Sequence, residues 1–268
     1  MKRLLFVACL AGAAWLARLP PEQIYFLDVG QGLAVLYRQT SGFTMLYDAG
    51  PERAVTAELG AVLPPHQRTI DLVIISHAHA DHLAGLLAVL DSYQIRELWL
   101  PALPDDELSR AVREKLAKHP ELIVSKQRAG YWRALPGGDT LTLWHPTAGG
   151  DGHAATQVVA LENTTGNRLL LTGDLDAADE ANALDYCRSR QICSAKSTIL
   201  QVSHHGSKTS TGSDWLAATQ PDLAVVSVGE NTYGHPAAET LGRLAGQGIL
   251  TKRTDIQGRT LTRLSLQR

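Results

Sequence analysis

Two stretches of the chain repeat one hydrophobic pattern. In GLAVLYRQTSGFTMLYDAG, apolar and polar residues alternate on either side of Thr40-Ser41-Gly42. In TQVVALENTTGNRLLLTGD, two apolar runs flank Thr164-Thr165-Gly166. Each reads as a β-hairpin, and in both the second run ends on an aspartate, Asp48 and Asp174. The pattern is a weak internal duplication of a strand-turn-strand unit closed by a carboxylate. IYFLDVG, ahead of the first unit, is a further strand. DLVIIS, ELWLPAL, LTLWHP, STILQVS and LAVVSVG are apolar runs of the length expected of buried strands. HLAGLLAVLDSY and SRAVREKLAKHP carry apolar residues at helical spacing, and Pro120 helps end the second. AAETLGRLAGQG reads as a third helix with glycine at its end. Strands and helices mix in both halves with no low-complexity linker. The pattern predicts one α/β domain over residues 23–268, built of two β-rich halves with helices on their outer sides.

Residues 1–22 follow a different pattern. Lys2 and Arg3 precede an uncharged, mostly apolar run from Leu4 to Ala17. That run is short of the roughly 20 residues needed to span a bilayer and fits a secretory signal peptide. Trp15-Leu16-Ala17-Arg18 lacks a small-x-small cleavage pattern, so an uncleaved anchor is the alternative. Either way the expected location is outside the cytoplasm, periplasmic or extracellular. In that setting Cys187 and Cys193 of DYCRSRQICS are candidates for a disulfide closing a short loop. With no histidine nearby they make a poor zinc site.

Composition adds little: 44% hydrophobic, 19% charged and a net charge of −2 describe an ordinary globular protein with no global pull toward polyanions. The charge distribution is less even. From Leu241 onward Arg243, Lys252, Arg253, Arg259, Arg263 and Arg268 stand against one acid, Asp255. They form either a polyanion-binding stripe or a solvated basic strand pair.

Directly after DLVIIS comes SHAHADH, which holds three of the chain's 10 histidines, His77, His79 and His82, together with Asp81. On a strand-to-helix turn, residues two apart converge while those at +4 and +5 swing round the start of the helix. Two imidazoles are thereby offered to one ion, and a carboxylate plus an imidazole to a second. Imidazole and carboxylate suit zinc with one position left for water. Other candidate ligands lie at strand ends: Asp174, His204, His205 and His145, with His153 opening the run HAATQVVAL. His66 and His119 sit in polar, proline-flanked stretches and read as surface residues.

HAHADH, the TGD aspartate and the strand-end histidine resemble the metallo-β-lactamase fold, a four-layer αββα sandwich with a dinuclear site between its halves. FLDVGQGLAVLY, LYDAG, TGDLD, VSHHGSKTS and SVGENTYGHP occur in the order found in the soluble hydrolase domain of the ComEC DNA-uptake (competence) family. That resemblance implies a metal-dependent phosphodiesterase or nuclease acting on DNA, with two divalent ions, zinc or alternatively manganese. The long apolar channel segments of that family are absent from these residues, so a separate membrane DNA-uptake channel is the implied partner. Many family members carry aspartate at the position of His79 and an asparagine pair at His153-Ala154. Both departures restore a ligand to the same ion.

Carried over by position, the first ion takes His77, His79 and His153, with His145 as the alternative to the last. The second takes Asp81, His82 and His204, with His205 as the alternative, and Asp174 bridges both. Asp81, Asp174, His205, Lys208 and His235 are the expected catalytic groups. Ser207, Ser210, Asn231 and Tyr233 are the expected substrate contacts, although helix capping is an equal reading for the two serines. Asp28, Gln31 and Asp48 are expected to support the site from loops, Asp48 by holding a metal-binding histidine. Two other functions fit the same fold: a lactonase or β-lactamase type of hydrolase, and a non-catalytic module of a DNA-uptake apparatus. A serine hydrolase is disfavoured, because no GxSxG elbow precedes a helix.

Overall fold

The computed structural model describes residues 22–145, 156–190 and 196–264. Its strands are β1 (Gln23–Phe26), β2 (Val35–Arg38), β3 (Thr44–Tyr47), β4 (Thr69–Ile74), β5 (Gln94–Trp99), β6 (Ile123–Ser125), β7 (Trp132–Ala134), β8 (Thr140–His145), β9 (Val158–Glu162), β10 (Arg168–Leu171), β11 (Ile199–Gln201), β12 (Leu223–Val226), β13 (Leu250–Arg253) and β14 (Thr260–Thr262). They form two seven-stranded sheets, ordered β14-β1-β2-β3-β4-β5-β6 and β7-β8-β9-β10-β11-β12-β13. In each sheet the first four strands pair antiparallel and the last four parallel. The hairpin duplication seen in the sequence therefore extends to the whole sheet. β2–β3 matches β9–β10, and Asp48 and Asp174 follow equivalent strands. Gly42 and Gly166 turn these hairpins at φ 92° and 80°, a region glycine enters without the Cβ clash of other residues.

The side-chain period of two divides each strand between two cores. Met45 and Tyr47 of β3 face the other sheet with Tyr37, Ile74 and Trp99, where they meet Leu141, Leu143, Val159, Leu169, Leu171 and Val225. Leu46, Val73 and Leu98 face outward under the helices α1 (Ala54–Val62), α3 (Leu86–Ser92) and α4 (Glu107–Leu116), through Leu59, Val89 and Val112. On the second sheet, Ala160, Leu170, Leu200 and Val226 pack outward. They meet Leu184 of α5 (Ala177–Arg190), Trp215 of α6 (Ser213–Thr219) and Leu244 of α7 (Ala238–Gly246). The result is the αββα order, with an apolar core between the two sheets at its centre. Each fully buried leucine there contributes about 2 kcal/mol. Polar bonds cross between the sheets and set their register: Tyr47 OH donates to Gln157 O at 2.6 Å, and Gln157 Nε2 donates to Ile75 O at 2.8 Å.

Four sequence expectations change. The helix expected over HLAGLLAVLDSY is two pieces, α2 (Ala80–Leu83) and α3, parted at Gly85. A Cβ on Gly85 would lie 1.9 Å from Ala49 O, so only glycine lets this turn pass. Cys187 is disulfide-bonded, as expected, but it sits buried in α5 rather than in a loop; Cys193 lies outside the described residues. The basic C-terminal strands are not a pair, since β13 and β14 close opposite sheets. Part of that charge is paired within the fold: Arg253 meets Asp255 at 2.6 Å, Arg259 meets Glu58 at 3.6 Å, and Arg243, upstream in α7, donates to Ser210 O at 2.8 Å. Among the described residues, no helix is long and apolar enough to cross a membrane.

Candidate metal centre

The strand ends of β3, β4, β10 and β11 bring their following loops to one edge of the double sheet. After β4, Ser76 leads into the histidine turn. Its backbone N–H and its hydroxyl both donate to Asp48, at 2.6 and 2.7 Å. Asp48 in turn accepts from Nδ1 of His82 at 2.7 Å. Nδ1 of His77 lies 3.0 Å from Ser76 Oγ, and Nδ1 of His205 bonds Ser227 O at 2.8 Å. With Nδ1 occupied on all three rings, each presents Nε2 to the interior, which is how an outer partner fixes the tautomer of a ligating histidine.

These atoms converge on Asp174. His82 Nε2 is 3.1 Å from Asp174 Oδ1, and His205 Nε2 is 3.7 Å from the same oxygen and 3.1 Å from Asp81 Oδ2. His77 and His204 approach the other oxygen, their Nε2 atoms 3.8 and 3.6 Å from Asp174 Oδ2. Two groups result, Asp81–His82–Asp174–His205 and His77–His79–Asp174. Within each, one ligand atom per residue lies within 4.8 Å of every other. Asp174 belongs to both.

Position 173 must be glycine for this. Gly173 has φ 51° and a Cβ there would lie 2.8 Å from Ser76 Cβ, so the two strand ends can meet only without one. The backbone after β11 is stranger. His204 and His205 are both left-handed, at φ 49° and 51°, and Asp48 is left-handed at φ 58°. Non-glycine residues in this region cost about 1–2 kcal/mol each, and such strain collects at functional sites. Two consecutive left-handed residues turn the chain sharply, so the adjacent rings separate: both line the cavity, but His205 is buried with its Nε2 against Asp81, while His204 is a quarter exposed and turns toward the other oxygen of Asp174.

The charges of the cluster suit a cation. Burial alone would raise the Asp174 carboxyl, but the imidazoles of His82, His205 and His77 hold it well below the usual carboxylate range. Burial would lower His82, but Asp174 and Asp48 raise it well above its ordinary value. Burial works the same way on His205, which Asp174 and Asp81 raise. The carboxylates thus draw positive charge onto the imidazoles, charge that a divalent ion held by these residues would supply instead of protons. Nitrogen and oxygen donors in this number fit zinc or manganese.

Gln31, Pro51, His79, Ala80, Asp81, Asp174, His204, His205, Tyr233 and His235 line a cavity of about 390 Å³ over the cluster. Burial and the neighbouring His205 push His235 below its ordinary value, and its ring stands 5.5 Å from that of His204.

Several sequence expectations meet a different geometry. His205, not His204, joins Asp81 and His82, because the left-handed turn reverses the order expected of the pair. Ser210 is no substrate contact: its buried hydroxyl donates to Ser203 O at 2.8 Å. Ser207 is buried too, its Oγ 3.1 Å from Thr209 Oγ1, and neither serine caps α6, whose N-cap is Gly212. The side-chain amide of Asn231 is spent on its own loop. It donates to Gly229 O and His235 O at 2.8 Å each and accepts from the N–H groups of Tyr233 and His235 at 3.1 Å each. Lys208 is exposed and does not line the cavity. Nδ1 of His145 bonds Thr156 O at 2.8 Å and its Nε2 lies 3.7 Å from Asp179, apart from both ligand groups. His153 lies outside the described residues. Asp28 is exposed and holds Gly30 N at 3.4 Å rather than touching the cluster. Sequence reasoning missed Ser76, the hinge between Asp48 and two histidines, although its place at the end of a strand and before the first histidine was the available signal.

The profile of the Metallo-beta-lactamase superfamily matches residues 27–230. The chain is 30% identical to the Escherichia coli protein YcaI over 99% of its own length and 34% of that protein's. It is also 30% identical to Recombination protein 2 of Haemophilus influenzae, over 89% and 28%. ComE operon protein 3 of Bacillus subtilis matches at 26%, over 88% and 32%. The chain thus spans about a third of the length of these relatives. Among solved structures, Tm1679, a metal-dependent hydrolase of the beta-lactamase superfamily, superposes with a TM-score of 0.58 at 12% identity. The superposition covers 90% of this chain and 98% of that one, a likeness of fold. Site, profile and relatives agree, and the chain belongs to the metallo-beta-lactamase superfamily of metal-dependent hydrolases, in the branch shared with proteins named for competence and recombination.

Proposed function

We propose that this chain is a dinuclear metal-dependent phosphodiesterase acting on nucleic acid. The observation that carries the reading is the pair of ligand groups sharing Asp174 beneath a cavity walled by His204, His235, Gln31 and Tyr233. When bound, two ions supply the charge that lowers the pKa of a water and stabilises negative charge developing on the attacked group. The protein's own residues do the rest. Asp174 is held between both groups, so it spaces them. Ser76 and Asp48 lock His82, and Ser227 locks His205, which leaves little reorganisation for the reaction. His204 and His235 offer ring nitrogens to the cavity as donors to a phosphate oxygen. Phosphodiester substrates are further supported by the names of the relatives, which speak of competence and recombination. Action outside the cytoplasm beside a membrane DNA-uptake channel extends this reading and is supported by the basic-then-apolar pattern of the first residues.

The test is a substrate panel on protein loaded with zinc or manganese: a nucleic-acid strand, bis-p-nitrophenyl phosphate, nitrocefin and a lactone. Cleavage of the phosphodiesters, lost in Asp81→Ala and on chelation, is the expected result. Turnover of nitrocefin or the lactone with the phosphodiesters untouched would overturn the proposal.

A further inference from the structure

Tyr233 is the one aromatic residue, histidines aside, that lines the cavity over the ligand groups among the described residues, and it is 75% exposed. An exposed tyrosine on a surface loop is ordinary by itself. This one differs in how firmly its backbone is held. The four hydrogen bonds of the Asn231 amide tie Gly229, Tyr233 and His235 into one turn. That turn is wedged at both ends. A Cβ on Gly229 would lie 2.4 Å from the backbone of Gly30, and one on Gly206 would lie 2.6 Å from Pro236 Cβ. A bare aromatic face therefore stands on a fixed loop, its ring 5.9 Å from that of His235 at an interplanar angle of 35°. A ring presented this way loses little freedom on binding a flat partner.

We propose that Tyr233 is a stacking platform for a nucleobase beside the scissile phosphodiester, and hence that the substrate is a strand with unpaired bases. The proposal rests on the phosphodiesterase reading above. Every base offers a π-face, so such a platform is tolerant of sequence. Bases within a duplex are already stacked on their neighbours, and only an unpaired one can be splayed onto a side chain.

The experiment compares wild type with Tyr233→Ala, Tyr233→Phe and Tyr233→Trp, each loaded with the same metal. Substrates are an oligothymidylate, an abasic strand of the same length and a duplex. Tyr233→Ala is expected to raise KM on the oligothymidylate about 5- to 100-fold, while Phe and Trp stay near wild type. On the abasic strand, wild type should already show the raised KM, and Tyr233→Ala should change nothing more. Equal KM on the thymidylate and abasic strands, or a duplex cut as readily as a single strand, would overturn the platform and leave the phosphodiesterase reading standing. A lowered kcat on both strands in Tyr233→Ala would also overturn it, making the ring a buttress for His235. If wild type cleaves no phosphodiester at all, the underlying reading fails and takes the platform with it.

Discussion

Asp48 and Asp174 grip opposite nitrogens of one buried imidazole. Asp48 Oδ2 lies 2.7 Å from His82 Nδ1, and Asp174 Oδ1 lies 3.1 Å from His82 Nε2. The two aspartates follow equivalent strands of the two sheets, β3 and β10. The internal duplication thus produces an outer carboxylate from one half and a ligand carboxylate from the other. Asp48→Asn keeps the shape but removes the charge behind His82. Zinc affinity, read by competition with a chromophoric chelator, should fall about 10- to 100-fold. Unchanged affinity would mean that Asp48 only positions Ser76.

The adjacent histidines should separate in their effects. His205 Nε2 stands with Asp81 and with Oδ1 of Asp174, whereas His204 Nε2 lies 3.6 Å from Oδ2 of Asp174, outside the Asp81–His82 group. His205→Ala should therefore lose the ion of the Asp81–His82 group, and His204→Ala should keep it. Metal content after desalting, normalised to protein, decides the matter. Loss of that ion in His204→Ala with retention in His205→Ala would reverse the assignment.

How much of this was legible in the sequence depended on whether the information was local. The two hairpins were, because Gly42 and Gly166 sit between alternating runs. So was the histidine turn, whose residues lie within one short segment. The choice between His204 and His205 was not, because it turns on two left-handed residues that no pattern of residue types announces. The role of Asn231 was hidden for a similar reason: a polar residue in a loop reads as a substrate contact until its four hydrogen bonds within that loop are seen. Helix α5 was overlooked because Ala177–Arg190 is rich in alanine and charge, with few large apolar residues to mark a face. The basic residues near the C-terminus suggested a polyanion stripe, yet Arg253 and Arg259 meet acids and Arg243 meets backbone carbonyls. Charge counts along a chain cannot show that pairing.

Glu180, buried under the loop after the histidine pair, makes stability depend on pH. Its carboxylate accepts from the N–H groups of Thr211 and Gly212. Burial nonetheless pushes its pKa up from 4.5 to about 7, against the pull of those two donors. A raised carboxyl pKa means that the folded state holds the proton more tightly than the unfolded chain. This group therefore costs nothing well below the unfolded value; its cost grows as pH rises from the unfolded value toward the folded one and is complete above it. The full cost is about 3 kcal/mol above pH 7. Glu180→Gln removes the titration, so the stability of wild type relative to the variant should fall by that order between about pH 4 and pH 8. Urea unfolding of both proteins in matched buffers measures it. Parallel stability curves would show that Glu180 does not titrate in this range.

The hydroxyl of Tyr47 is one of the bonds that crosses the double sheet, donating to Gln157 O at 2.6 Å where both groups are buried. Tyr47→Phe leaves that carbonyl without its donor and should cost about 1–3 kcal/mol. Denaturant midpoints at constant slope report it. Because Gln157 N also donates to Ser76 O at 2.8 Å, metal affinity should fall with stability. An unchanged midpoint would mean that water replaces the hydroxyl.

The same substitution at two glycines, one inside a helix and one capping another, should have opposite signs. Gly60 is exposed in α1, and a Cβ there meets nothing within 4 Å. Gly60→Ala should gain about 0.5–1 kcal/mol, since alanine loses less freedom in a helix. Gly85, at the start of α3, is ringed by backbone. A Cβ would lie 1.9 Å from Ala49 O and 2.7 Å from Glu52 O. Neither oxygen ends a flexible side chain, so the loop after β3 must move. Gly85→Ala should therefore cost about 3 kcal/mol, the upper end for overpacking. The loop that must give way carries Asp48, and Ala49 N bonds His82 O at 2.8 Å while Gly85 N bonds Gly50 O at 2.9 Å. Displacing it pulls the Asp48 carboxylate away from His82, so Gly85→Ala should also weaken metal binding, and Gly60→Ala should not. Thermal unfolding with and without chelator separates the two effects. A Gly85→Ala protein that is destabilised but binds metal as wild type does would mean that the loop yields at Glu52 rather than at Asp48.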